Sequence, residues 1–242
     1  MRLPSDEPLL RYAIAAVWLA TGLLVLAPGY RAAAAPWLAA GGLPTGVMWA
    51  TCLAEVALGV RLILGPAPRW MWALQAVMVV GFTGILVVLD AALLVHPLGL
   101  LSKNLPFLLV VWVLSKGPDP LPAQTWLLRI AAAAPWFTEG LLPKVFFQDP
   151  WELALVPRVG LGGFSPSVVL IVLGVAQALS GVLALALRGR ARQAVLVMQA
   201  AALVVLPLWV GFLEPAWWVH PFGPFTKNLP ILAATLVVVR RC

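Results

Sequence analysis

Eight apolar runs, each near the length of a membrane-crossing helix, dominate the chain: Leu10–Ala27, Val47–Leu64, Trp70–Val95, Leu98–Ser115, Trp126–Leu142, Ser167–Leu187, Ala194–Leu213 and Phe222–Val239. A helix rises 1.5 Å per residue, so roughly 20 apolar residues cover the ~30 Å hydrocarbon core of a bilayer. Eight such runs within 242 residues leave no room for a soluble domain. Charged residues make up only 10% of the chain, against about 25% in soluble domains, too few to clothe an aqueous surface. The sequence therefore predicts an all-α membrane protein with about eight transmembrane helices. The net charge of +7 comes from Lys and Arg scattered at the ends of the runs. No basic stretch is interleaved with aromatics, so the expected partner is the lipid bilayer and not nucleic acid.

The breaks carry Pro, Gly and Arg, as in GPAPR (65–69), SKGPDPLP (115–122) and RGRAR (188–192). Helices joined by such short turns run antiparallel. Alternating crossings then put eleven Lys and Arg, from Arg2 to Arg241, on the side of both termini, and five on the other: Arg31, Lys103, Lys144, Arg158 and Lys227. The positive-inside rule makes the first side cytoplasmic, with both termini in the cytoplasm and the chain in the plasma membrane. Trp37, Trp49, Trp70, Trp151, Trp217 and Trp218 fall near run ends, where interfacial tryptophans sit. The first run has acidic Asp6 and Glu7 before it and no small-residue cleavage site after it. It reads as a retained helix and not a signal peptide.

The chain is also internally duplicated. HPLGLLSKNLP (96–106) recurs as HPFGPFTKNLP (220–230), identical at seven of eleven positions. The only two His and the only two Asn all lie in these segments, at one offset of 124. Asp90 answers Glu214 and Gln75 answers Gln199 at the same offset, and AEVALGV (54–60) answers AQALSGV (176–182). Trp18 and Gly22-Leu23-Leu24 answer Trp136 and Gly140-Leu141-Leu142. The expected architecture is two four-helix bundle repeats, residues 1–117 and 118–242. An even helix count gives both copies the same orientation, about an axis along the membrane normal.

Chemistry, if present, concentrates in the repeated segment on the non-cytoplasmic side. The residue before proline is pushed out of helical geometry, so His96 and His220 are expected to end their helices. A helix starting at Asn104 or Asn228 and ending at the next basic turn is too short to cross. Either the last helix of each repeat starts near Gly99 and Gly223 with a proline inside it, or non-helical backbone sinks into the membrane. The latter survives only against protein or a wet cavity. The ligand-binding candidates are thus His96, Lys103 and Asn104 with their copies His220, Lys227 and Asn228. The same residues also suit a plain turn, with Asn as cap and Lys snorkelling.

Glu55 lies in mid-run, where a charged carboxylate costs about 2.5–3.5 kcal/mol to insert. Its counterpart is Gln177, so that position wants a hydrogen-bonding group more than a charge. Asp90, Glu214 and Lys144 complete the candidates at the outer ends of their runs. Cys52 and Cys242 form no CxxC pair and no zinc spacing, so neither a dithiol pair nor a metal site is expected.

WFTEGLLPKVFFQDPWELAL (136–155), followed by an apolar run, an Arg turn and HPFGPFTKNLPILA (220–233), resembles the DoxX-like membrane proteins. The resemblance covers the second repeat, about 125–241. The first repeat keeps the closing motif but has Val25-Leu26 where Pro143-Lys144 would align. The family unit is a four-helix bundle, and the family is linked to membrane redox biology, including a subunit of thiosulfate:quinone oxidoreductase. The resemblance implies a quinone- or lipid-facing component of a redox or envelope-maintenance system. No cofactor site is evident within the chain; the resemblance is compatible with a quinone as cofactor and with a redox partner protein as electron carrier. No catalytic residue is assigned. The alternatives are a small-molecule carrier using Glu55 and Gln177 at mid-membrane, and a scaffold for other membrane subunits. Asymmetry between the copies points to the second repeat as the active one, with Lys144 and Lys227 converging on one site and Glu214 offsetting part of their repulsion.

Overall fold

The computed structural model describes residues 6–97, 99–117 and 122–242. Arg2, Leu98, the linker positions 118–121 and the boundary expected between 117 and 118 lie outside the described residues. Every regular element among those described is helical. The first repeat contains α1 (Glu7–Leu23), α2 (Pro28–Ala40), α3 (Thr45–Leu64), α4 (Arg69–Leu89) and α5 (Leu100–Ser115). The second contains α6 (Pro122–Leu141), α7 (Pro150–Val156), α8 (Pro166–Ala186), α9 (Gly189–Leu213) and α10 (Asn228–Arg240). Among the described residues five helices are long and apolar enough to cross a membrane: α1 with the 3-10 turn after it, α3, α4, α8 and α9; α5 and α10 are shorter apolar helices.

Each repeat thus carries a short helix, α2 or α7, that the run-counting does not anticipate. Proline opens both, where its missing N–H costs nothing. The Asp149 carboxylate caps α7 by accepting from the Trp151 and Glu152 amides at 2.9 and 3.4 Å. A second difference concerns where α4 and α9 stop. The run Trp70–Val95 is helical only to Leu89, because Asp90 turns extended (φ −154°, ψ 100°) and accepts from the Ala92 amide at 3.0 Å, starting the 3-10 turn Ala91–Leu94. In the second copy Pro215 forces Glu214 out of the helix, and a 3-10 turn, Pro215–Val219, follows. His96 and His220 therefore follow 3-10 turns and do not end the long helices.

The last helix resolves differently in each copy. In the first, Gly99 adopts a left-handed φ of 79° and α5 starts immediately after it, with Pro106 inside. In the second, Gly223 is left-handed (φ 57°), residues 221–227 stay in turns and α10 begins only at Asn228. The helix starting near the glycine with a proline inside it occurs in the first repeat, while in the second the helix starts at Asn228 after a non-helical stretch.

Helices α1, α5, α6 and α10 pack together at the centre, with α3 against α1, α8 against α6, α4 against α5 and α9 against α10. Close approach explains the shared Trp…Gly pattern. A Cβ on Gly140 would stand 2.5 Å from the Gly174 carbonyl oxygen and 2.7 Å from the Ala178 nitrogen, and one on Gly22 would stand 2.6 Å from the Cys52 carbonyl oxygen. Small residues let membrane helices approach backbone to backbone. At the end carrying the chain termini the central helices form a solid core of Leu10, Ile14, Val110, Leu128, Ala234 and Val237. Asp6 is buried there and pairs with Arg241 at 2.7 Å. The outer helices turn apolar side chains outward: Leu53, Val77, Val88 and Phe212 are 71%, 68%, 87% and 83% exposed. Such a surface suits lipid and not water.

Candidate ligand cavities

The other half of the bundle is hollow. One cavity, of about 250 Å³, lies within the first repeat among α1, α2, α3, α4 and α5; another, of about 290 Å³, lies within the second. Both have mainly apolar walls. The repeated segments supply polar groups to both, and they do so crosswise.

Lys103 and Asn104 stand side by side on α5, and Lys227 and Asn228 at the start of α10. Successive helical residues point about 100° apart, so each Lys–Asn pair straddles two sides of its helix. Asn104 faces the cavity of its own repeat, whereas Lys103 faces that of the second repeat. Asn228 likewise faces the cavity of its own repeat, and Lys227 reaches into that of the first. Each cavity therefore combines an asparagine from its own repeat with a lysine from the other.

A carboxylate meets each lysine. In the first cavity Glu55 of α3 is buried, with the Thr21 hydroxyl and the Lys227 ammonium as its polar neighbours. Its Oε2 has no partner, and neither has Oδ1 of the buried Asn104. Tyr30 and Cys52 line the same space, their Oη and Sγ 3.5 Å apart. In the second cavity the acid is Glu139 of α6. Ser102 donates to its Oε1 at 2.7 Å, and Lys103 Nζ lies 3.8 Å from the same oxygen while donating to the Pro224 carbonyl at 2.6 Å. Counted from the Trp pair, Glu139 answers Thr21, while Gln177 answers Glu55 and also lines the second cavity. The acid has moved from one helix to its neighbour between the copies, yet each cavity keeps one facing the incoming lysine. Sequence reasoning passed over Glu139 as a site residue because it sought the acid at the Glu55 position.

The one-turn π segment Leu142–Phe146 carries Pro143 and Lys144. Lys144 lines the second cavity and pairs with Glu152 of α7 at 2.6 Å. The expected convergence of Lys144 and Lys227 is thus not what the fold contains: Lys227 crosses into the first repeat, and Lys144 shares its cavity with Lys103. Glu214 does not offset them either, since it pairs with Arg158 away from both cavities. Asp90 is exposed and spent on its cap.

The two histidines stand beside the cavities, between the repeats. His96 Nε2 lies 3.5 Å from Asp149. His220 Nδ1 accepts from the Phe222 amide at 3.3 Å. Burial, with His96 close by, pushes the His220 imidazole down to about 4, and burial also lowers that of His96. Among the described residues no group of three His, Cys, Asp or Glu could hold a metal ion.

The buried Trp18 indole donates to Gln75 Oε1 at 2.8 Å, tying α1 to α4 beneath the first cavity. The corresponding Trp136 Nε1 and Gln199 Oε1 are both buried without partners. Trp and Gln at corresponding positions, a shared Gly contact and the crosswise Lys–Asn pairs describe one unit used twice. The profile of the DoxX-like family matches the chain over residues 15–112 and again over 133–236. The chain belongs to the DoxX-like family. Both copies match, so the first repeat is a DoxX-like unit despite lacking the Pro-Lys pair. Family and apolar helices together make this an integral membrane protein. No curated protein and no solved structure matches the chain.

Proposed function

We propose that this DoxX-like protein crosses the plasma membrane eight times, as two units (1–117 and 118–242) of like orientation with both termini cytoplasmic. In this reading α6 and the shorter α5 and α10 cross as well. Thirteen residues of α10 rise about 20 Å, roughly 10 Å short of the hydrocarbon thickness. The turns of residues 221–227 make up the difference, sunk below the outer surface and sheltered by protein as irregular backbone must be.

Within that frame the protein is a quinone- or lipid-facing component of a membrane redox or envelope-maintenance system. It holds the headgroup of a lipid-soluble molecule at Glu55, Asn104 and Lys227 and the tail along the apolar wall. The observation that carries this reading is the first cavity itself. It has about 250 Å³ of space, mostly apolar lining, and buried polar atoms at one end that no protein group satisfies. Buried polar groups without partners are costly, and a bound headgroup would meet that cost. Electrons, in a redox role, come from a partner protein.

A carrier reading draws support from Glu55 and Gln177, each near the middle of its helix and each lining a cavity. The solid core at the termini end weighs against it, because both cavities would have to open through packed leucines and valines. Mass spectrometry of small molecules retained by the purified protein tests the proposal. A lipid-soluble molecule bound by the wild type and lost from Lys227→Ala supports it. Nothing retained by either argues for a scaffold.

A further inference from the structure

The polar end of the first cavity has a definite hydrogen-bonding polarity. Thr83 Oγ1 donates to the Val79 carbonyl at 2.6 Å, so toward Asn104 it can only accept. It does so from Asn104 Nδ2 at 2.8 Å, which fixes the amide with Oδ1 turned away from Thr83 and unpartnered. Glu55 Oε2 is the second unpartnered oxygen. Both residues are more than nine-tenths buried, at 8% and 5% exposure, and both line the cavity. Lys227 supplies the facing cation. The site therefore presents two orphaned acceptors and one ammonium. The second cavity differs in kind: Lys144–Glu152 and Ser102–Glu139–Lys103 are paired, and its unpartnered atoms are one acceptor, Glu152 Oε2, and one donor, Trp136 Nε1, where the first cavity has two acceptors.

We propose that the first cavity selects a headgroup that donates hydrogen bonds, a diol or quinol on an apolar tail, over the same headgroup without its hydroxyl hydrogens. The inference rests on the ligand-site reading above and adds the ligand's chemistry to it. One hydroxyl donates to Glu55 and a second to Asn104, while a hydroxyl oxygen accepts from Lys227. A quinone, which carries acceptors only, meets Lys227 but leaves both orphans unmet and sets lone pair against lone pair. A site built to hydrogen-bond a hydroxyl rejects the analogue lacking it far more strongly than an apolar pocket rejects an extra methylene.

Two matched pairs of probes test this by equilibrium binding to the full chain in nanodiscs. The first is decyl-benzoquinol against decyl-benzoquinone, under a reductant for one and air for the other. The second is a monoacylglycerol against its diacetate. At least a tenfold preference for the hydroxyl-bearing member is expected in one pair, and that pair identifies the source of the ligand. For the quinol pair, tenfold tighter binding of the reduced form raises the bound couple's potential by about 30 mV. Asn104→Ala and Glu55→Ala should each shrink the preference, whereas Asp90→Asn, at an exposed turn, should not. Equal binding within both pairs, or tighter binding of the members without hydroxyls, overturns the inference and leaves the ligand site standing. Binding of none of the four probes overturns the ligand-site reading as well. The wild-type comparison needs no variant to fold.

Discussion

Replacing Lys103 by methionine probes the crosswise arrangement through stability. Lys103 is 7% exposed, and its ammonium donates to the Pro224 carbonyl at 2.6 Å and faces Glu139 at 3.8 Å. A hydrogen bond to a charged group contributes about 1.5–3 kcal/mol, and removing one partner of a buried pair costs about 3–5 kcal/mol. Glu139 is a fifth exposed, which places the expected loss at the lower end, about 3 kcal/mol. Most of that loss is the carboxylate left behind in the second repeat. Lys103→Met combined with Glu139→Gln should therefore recover about half of it, while combination with Glu55→Gln should recover nothing. Unfolding by SDS titration in mixed micelles measures all four proteins, the wild type included. Recovery with Glu55→Gln and none with Glu139→Gln would refute the assignment of Lys103 to the second cavity.

Four further outcomes follow from the packing and the loops. Trp18→Phe should cost about 1–3 kcal/mol, because it strands buried Gln75 Oε1, whereas Trp136→Phe removes a donor that has no partner and should cost clearly less in the same titration. Gly140→Ala drives a Cβ into the backbone of α8 and should destabilise by several kcal/mol, on the order of 3, while Gly84→Ala meets open space and should be neutral or stabilising by a few tenths. Folded His220 titrates at about 4, below the usual 6.5, so the unfolded chain holds the extra proton between those values. Stability should then fall as pH drops from about 6.5 toward 4, and His220→Gln should flatten that slope; a slope of opposite sign would contradict the burial of the imidazole. Reporter fusions at residue 117 and at the carboxy terminus should read cytoplasmic and those near 99 and 223 external, and a cytoplasmic reading at 223 would overturn the eight-span proposal.

Much of the architecture is written in apolar periodicity. Each of the eight runs overlaps one of the helices α1, α3, α4, α5, α6, α8, α9 and α10, and the HPxGxx(S/T)KNLP duplication marks the two repeats that the DoxX-like family matches. Helix ends were less legible, since Asp90 looks like any polar residue until its carboxylate is seen capping the next turn. Helix α2 was hidden because an alanine-rich stretch interrupted by Pro36 lacks the length of a span. The candidate site was half legible. Composition and repetition pick out Lys103, Asn104, Lys227 and Asn228, but pairing Lys227 with Lys144 assumed that each motif serves its own bundle. Which cavity a side chain enters depends on packing between repeats, and nothing local in a sequence records that.

The crosswise contact itself is open to direct measurement. A Cβ on Gly223 would lie 3.1 Å from Thr21 Cγ2, within the reach of a disulfide between the two repeats. With Cys52 and Cys242 replaced by alanine and serine, mild oxidation of a Thr21→Cys/Gly223→Cys protein in native membranes should give the linked peptide by mass spectrometry. A Glu139→Cys/Gly223→Cys protein, which tests closure of the motif on its own repeat, should give little or none. Efficient linkage to position 139 and none to position 21 would contradict the account.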